Sequence, residues 1–254
     1  MSTITTTFDL PHAIQLPLPA ARPWGFWATL GWGLFAAATG LFAAVTCAVI
    51  WTLTHQLRLP DPANAIYGLT AMIAASLTPL AVLAVATRIR HLSLRDYLAL
   101  GPIPCRELTV GICCLAVLIA VCEAAAALAG VDEGSRYMIT TYRAAQLAGA
   151  LPLLWVALVV VAPVGEELLF RGFLHRGWAP SRLGAWGTVA VTSALWAALH
   201  QQYDWGGILV IFLMGLLFGW LRQRSGSTTL TIVLHALNNL VATLILTVRL
   251  DWPG

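Results

Sequence analysis

Three separated stretches of this 254-residue chain carry polar groups of the kind that hydrolyse bonds. Glu166 and Glu167 are adjacent, and Arg171 follows four residues after the second. They close an apolar run over 147–162, so on a helix Glu167 and Arg171 share a face and can pair. Glu166 is turned about 100° away, free to face a cavity. His200 stands one helical turn after Trp196, and His235 one turn before Asn239. A carboxylate with a histidine can activate water as a general base. A second histidine with an amide can donate to a developing oxyanion. Glutamate with two histidines is also a zinc-ligand set, and no H-E-x-x-H helix is present. Without a G-x-S-x-G stretch, a serine nucleophile of that kind is not indicated.

Each group alone has a plainer reading. The glutamates and Arg171 read as the end of a spanning helix, snorkelling to water. His200 reads as a hydrogen-bonded interfacial residue, and His235 with Asn239 as polar glue between helices. The plain readings weaken together, because three helices each bring such a group to a chain that otherwise avoids charge. Glu123, among alanines near a helix end, reads as snorkelling, and His91 and His175, beside arginines, as solvated. The cysteines at 47, 105, 113, 114 and 122 form no C-x-x-C and read as small apolar helix residues.

The elements that must position these groups are membrane helices. Hydrophobic residues make up 59% of the chain and charged ones 10%, against about 25% charged in a soluble domain. The expected fold is all-α, a polytopic bundle of about seven (six to eight) spanning helices, with no role in nucleic-acid binding. Apolar runs cover 24–54, 63–87, 108–129, 147–162, 185–199, 206–221 and 230–248. Residues 1–22 read as a disordered tail, 23–146 as leading helices and 147–248 as the catalytic core, all in one membrane domain. The segment 92–106 reads as a loop or interfacial turn, and 130–146 as a polar stretch. The runs over 185–199 and 206–221 are marginal for a ~30 Å core, so the turn over 201–204 is expected below the membrane surface.

Every one of the fourteen basic residues is arginine, which with the alanine content suggests a GC-rich bacterial genome. Placed on seven crossings, the tail and the loops over 88–106, 171–185 and 222–227 hold ten arginines, the other side four. The positive-inside rule then predicts a cytoplasmic N-terminus in the cell membrane.

In order, spacing and helix context, Glu166-Glu167-x-x-x-Arg171, Trp196-x-x-x-His200 and His235-x-x-x-Asn239 resemble the three motifs of the CPBP family. That family includes CAAX prenyl proteases and bacterial proteins linked to bacteriocin processing or immunity. Ala162-Pro163, Phe170-Arg171-Gly172 and the 215–219 glycine pair agree, so the resemblance covers about 147–245. Trp196 stands where the family often has Phe.

The resemblance implies an intramembrane endopeptidase acting on a membrane-associated or secreted peptide or protein that enters from the bilayer. It implies Glu166 as general base aided by His200, and Glu167 with Arg171 as a supporting ion pair. His235 and Asn239 are implied as the oxyanion site, with Trp196 and Asn238 lining the cavity. No metal is assigned; if zinc is bound, Glu166, His200 and His235 are its ligands. The alternative is a non-catalytic membrane immunity or scaffold protein that keeps the cluster as glue. A transporter has less support, since no internal repeat is visible.

Overall fold

A computed structural model describes residues 22–55, 63–128 and 136–251, and among them there is no strand. The elements are α1 (Phe26–His55), α2 (Ala63–Ile89), the single turn α3 (Leu94–Tyr97), α4 (Cys105–Leu128), α5 (Arg136–Leu147), α6 (Leu151–Trp178), α7 (Gly184–Ala198), α8 (Trp205–Ser225) and α9 (Thr228–Asp251). Each of the seven apolar runs falls mainly on a helix. Six of them, α1, α2, α4, α6, α8 and α9, are long and apolar enough to cross a membrane. The remaining one, α7, has 15 residues, or ~22 Å at 1.5 Å per residue. The protein is an all-α polytopic membrane bundle. The tail over 1–21 and the segment over 56–62 lie outside the described residues.

α6 is the central rod. It starts after Gly149, whose φ of +63° lets the chain turn out of α5, and carries Pro152 in its first turn, where a missing N–H costs nothing. Its 28 residues span ~42 Å, so Glu166 lies near mid-length rather than at an interface. Two π-helical stretches, Val156–Val161 and Leu168–Leu174, flank the turn that carries the glutamates. The first has an identifiable chemistry. The N–H of Ala162 bonds five residues back to the Ala157 carbonyl. The next bond of that ladder would join residue 163 to Leu158, but Pro163 has no N–H. The Leu158 carbonyl is thereby released, and Asn239 Nδ2 of α9 donates to it at 2.8 Å.

Around α6 the helices approach closely. A Cβ on Gly165 would lie 2.7 Å from the Ser76 carbonyl oxygen of α2, so only glycine permits this contact. The 215–219 glycine pair does the same between α8 and α7: Cβ atoms there would sit 2.8 Å from Ser193 and 2.7 Å from Val189. One buried cluster joins Leu83, Tyr97, Phe173, Trp196, Phe218, Leu221 and Leu234. A second lies at the other end of α6, around Leu69, Tyr142, Leu154 and Ala157.

Four expectations need correction. The segment 130–146 was expected only as a polar stretch, yet from Arg136 onward it forms α5, which buries Tyr142 and Ala145 on one side. Arg171 was placed in a loop over 171–185; the helix instead continues to Trp178, because neighbouring helices supply partners for its polar groups. Arg222 was read as a loop cation that stops its helix. α8 runs through both Arg222 and Arg224 and ends at Gly226, in the left-handed region at φ +70°. Arg222 is buried, its Nε donating to the Arg171 carbonyl and the Thr228 hydroxyl, both at 3.0 Å. His175 was read as solvated and is 4% exposed, because the α6 end is covered by the loop before α1 and by α8.

Candidate active site

Two helical hairpins bring the three stretches together. Between α6 and α7 the chain reverses within five residues, and Ser181 braces the turn by donating to the Trp178 carbonyl. Glu166 lies twelve residues before the end of α6, and Trp196 twelve after the start of α7. Equal residue counts on either side of the turn set them side by side. Trp196 Nε1 donates to Glu166 Oε2 at 2.5 Å. Between α8 and α9 the turn is shorter, and Phe218 and His235, each seven residues from its helix end, meet with ring centroids 5.7 Å apart.

The two glutamates occupy different environments. Glu167 is fully buried and accepts from Arg171 at 3.0 Å, while His235 Nδ1 lies 3.1 Å from the same oxygen. Arg171 is fully buried as well. Its second terminal nitrogen donates to the Gly215 carbonyl at 3.2 Å, and its guanidinium carbon lies 4.5 Å from the Trp196 ring centroid, a cation–π contact. Glu166 is only partly buried and faces the Trp196 edge.

His200, just past the end of α7, has its Nδ1 2.8 Å from the Trp196 carbonyl, which leaves Nε2 as the free nitrogen. Its ring centroid is 5.4 Å from that of Trp196, and the His235 ring is 5.3 Å from the same indole. Glu166, Arg171, His200 and His235 are thus grouped around one side chain. α7 ends at Ala198, so His200 leaves the helix one turn beyond Trp196 and its ring folds back against the indole. Asn239 is directed to the Leu158 carbonyl, and its side-chain oxygen accepts from Asn238 at 3.2 Å. Asn238 is therefore tied to its neighbour, one helical turn beyond His235.

Among the described residues no three of His, Cys, Asp or Glu are placed to hold one metal ion. Glu166, His200 and His235, each in contact with the Trp196 indole, form no such group. The cavity of about 250 Å³ by Trp51 and Tyr67 is lined by α1 and α2 residues and includes none of these groups. Glu166 and His200 are reached through their own partial exposure.

The sequence named one contributor without its role and left another out. Trp196 was read as cavity lining; its role as donor to Glu166 needed the α6–α7 register. Tyr203 was placed only in a turn. Its ring lies 6.2 Å from His200 and 6.0 Å from Tyr137 of α5, and burial, with smaller contributions from Tyr137 and Glu166, pushes its phenol up to about 12. Its spacing, three residues after His200, was the available signal. Glu123 is exposed on α4 and takes no part.

Comparison with known proteins falls on these same residues. Residues 148–241 match the family described as type II CAAX prenyl endopeptidase Rce1-like. A relative in Escherichia coli, an uncharacterized 24.3 kDa protein, is 33% identical over 84 residues, which is 32% of this chain and 38% of that protein. The chain thus spans well under half the length of the curated relative it matches. No solved structure matches it. The family match and the three-motif resemblance cover the same four helices, α6 to α9, and leave α1 to α5 as leading elements.

Proposed function

We propose, from the match of residues 148–241 to the CAAX-type protease family, that the chain is an intramembrane endopeptidase. It hydrolyses a peptide bond in a membrane-associated or secreted peptide or protein by activating water on its own side chains. The observation that carries this reading is the partly exposed Glu166, held by the Trp196 indole N–H with two histidine rings against the same indole.

In the proposed reaction Glu166 takes a proton from water as its oxygen attacks the scissile carbonyl carbon. His200, with Nε2 free, assists that transfer and passes the proton to the amide nitrogen as the tetrahedral intermediate collapses. The C–N bond breaks and the amine leaves, the other fragment keeping water's oxygen as a carboxylate. The attack turns the carbonyl oxygen into an oxyanion. His235, anchored through Nδ1 to the Glu167 carboxylate, presents its other ring nitrogen to the oxyanion, which it stabilises when that nitrogen bears a proton. Asn239 keeps one amide proton on Leu158 and has a second for the same purpose. Arg171 balances the Glu167 charge and, through Gly215 and Trp196, holds the two hairpins in register.

The test compares membrane and secreted peptides from cells carrying wild type or Glu166→Gln. The variant keeps the shape and the Trp196 contact but removes the base. We expect peptides that depend on the wild type to disappear while the variant stays folded in the membrane. An unchanged peptide set and an unchanged cellular phenotype would favour the non-catalytic immunity or scaffold role. The cell membrane, with the N-terminus cytoplasmic, remains the proposed setting, from the arginine asymmetry.

A further inference from the structure

A second polar concavity lies at the end of α6, away from the glutamates. It measures about 410 Å³ and is lined by Pro23, His175, Arg176, Ala179, Pro180, Arg222 and Gln223. No carboxylate is among its lining residues. Two arginines around one space, with no acidic partner among the lining, repel each other unless an anion joins them. Their other bonds do not supply one. Arg222 uses only Nε within the described protein, on the Arg171 carbonyl and the Thr228 hydroxyl, leaving its two terminal nitrogens for a ligand. His175, only 4% exposed, has a buried Nε2 without a hydrogen-bond partner. A buried polar atom in that state costs free energy until something pairs with it.

The position narrows the ligand. The concavity sits at the end of the bundle where α2, α6 and α8 finish and α7 begins, near Arg88, Arg90, Arg176, Arg182, Arg222 and Arg224, the last of them paired with Glu107. Basic pockets between helices on such a face suit phosphate-bearing headgroups. A guanidinium fork matches two phosphate oxygens, and a neutral imidazole or amide can complete the set.

We propose that this concavity binds a phosphate-type anion, held by Arg176 and Arg222 with His175 and Gln223. Because Arg222 also grips the Arg171 carbonyl, an anion there steadies the helix that carries the glutamates.

The experiment measures thermal unfolding of purified full-length protein in a non-ionic detergent. Three probes are titrated at constant ionic strength: inorganic phosphate, dioctanoyl phosphatidylglycerol and dioctanoyl phosphatidylcholine. We expect a saturable rise in melting temperature with phosphatidylglycerol if the source is a lipid, or with phosphate alone if it is a free ion. Arg176→Gln, at an exposed position compatible with folding, should weaken binding by about tenfold. Gln223→Leu should weaken it less. Arg182→Gln, equally exposed and outside the lining, should leave it unchanged. The proposal fails if neither phosphate nor phosphatidylglycerol saturates, if phosphatidylcholine does as well as phosphatidylglycerol, or if Arg182→Gln weakens binding as much as Arg176→Gln.

Discussion

Glu166 and Trp196 stand twelve residues on either side of the α6–α7 turn, and the Trp196 indole N–H meets the Glu166 carboxylate at 2.5 Å. The hairpin therefore works as a ruler. Inserting or deleting a residue between Pro180 and Gly184 changes where the hairpin closes, whereas substitutions there leave the register intact. Trp196 joins this ruler to the second hairpin, since its ring contacts Arg171, His200, Phe218 and His235.

Trp196→Phe should separate positioning from packing. It keeps an aromatic face for Arg171 but removes the donor to Glu166. A hydrogen bond to a charged group is worth about 1.5–3 kcal/mol, so kcat/KM on a cleaved peptide should fall roughly tenfold to a hundredfold with little change in melting temperature. Trp196→Ala, which empties a buried site, should cost about 3–5 kcal/mol of stability. Equal activity in wild type and the Phe variant would remove the indole N–H from the mechanism.

The two glutamates should fail differently. Glu166→Gln is expected to abolish cleavage and leave stability near wild type. Glu167→Gln leaves Arg171 buried without its counter-charge and should cost about 3–5 kcal/mol, the scale for breaking a buried pair. Melting curves in detergent beside activity assays distinguish them. A Glu167→Gln protein as stable as wild type would contradict the ion-pair account.

Asn239 and Pro163 should be energetically coupled. Asn239→Leu leaves the Leu158 carbonyl without its donor and is expected to cost about 1–3 kcal/mol. Pro163→Ala restores a backbone N–H that can take that carbonyl. The double variant should therefore lose less stability than the two single losses added, by about 1 kcal/mol. Simple additivity would mean that the amide does not replace the missing backbone bond.

Metal removal should have no effect. With Glu166, His200 and His235 each against the Trp196 indole and not grouped to hold one metal ion, cleavage should survive prolonged treatment with a chelator, and added zinc should not raise it. Loss on chelation with recovery on adding zinc would overturn water activation by side chains alone.

Tyr203 gives a pH-dependent stability with a definite sign. Its phenol is pushed up to about 12 by burial, whereas in an unfolded chain it ionises near 10. The unfolded state therefore loses its proton first, and the contribution is complete below about pH 10 and falls as pH rises toward 12. Wild type should lose stability over that interval faster than Tyr203→Phe, by about 3 kcal/mol at most. Parallel curves would place Tyr203 in a wetter setting than its contacts indicate.

Much of the fold was legible because a bilayer imposes simple rules. Long apolar runs become helices whatever their neighbours, so the seven runs could be read directly, with α7 marked as short. The possibility that Glu167 and Arg171 pair was legible too, since i and i+4 meet on any helix. Polar segments were harder. α5 has no apolar run, and its amphipathic face shows only against Leu69 and Leu154.

Types and spacing of residues within one helix followed from the chain itself: Glu166 facing away from Glu167, His200 below Trp196, His235 above Asn239. Local geometry repeats every turn and needs no partner. Which helix each group would meet was decided only in three dimensions. His235 reaches Glu167 across 68 positions, Asn239 fills the bond that Pro163 cannot make, and Arg222, which looked like a helix stop, is buried against Arg171. Such contacts depend on hairpin register and on glycines thin enough to let helices touch. These are properties of pairs of helices, which no single stretch contains.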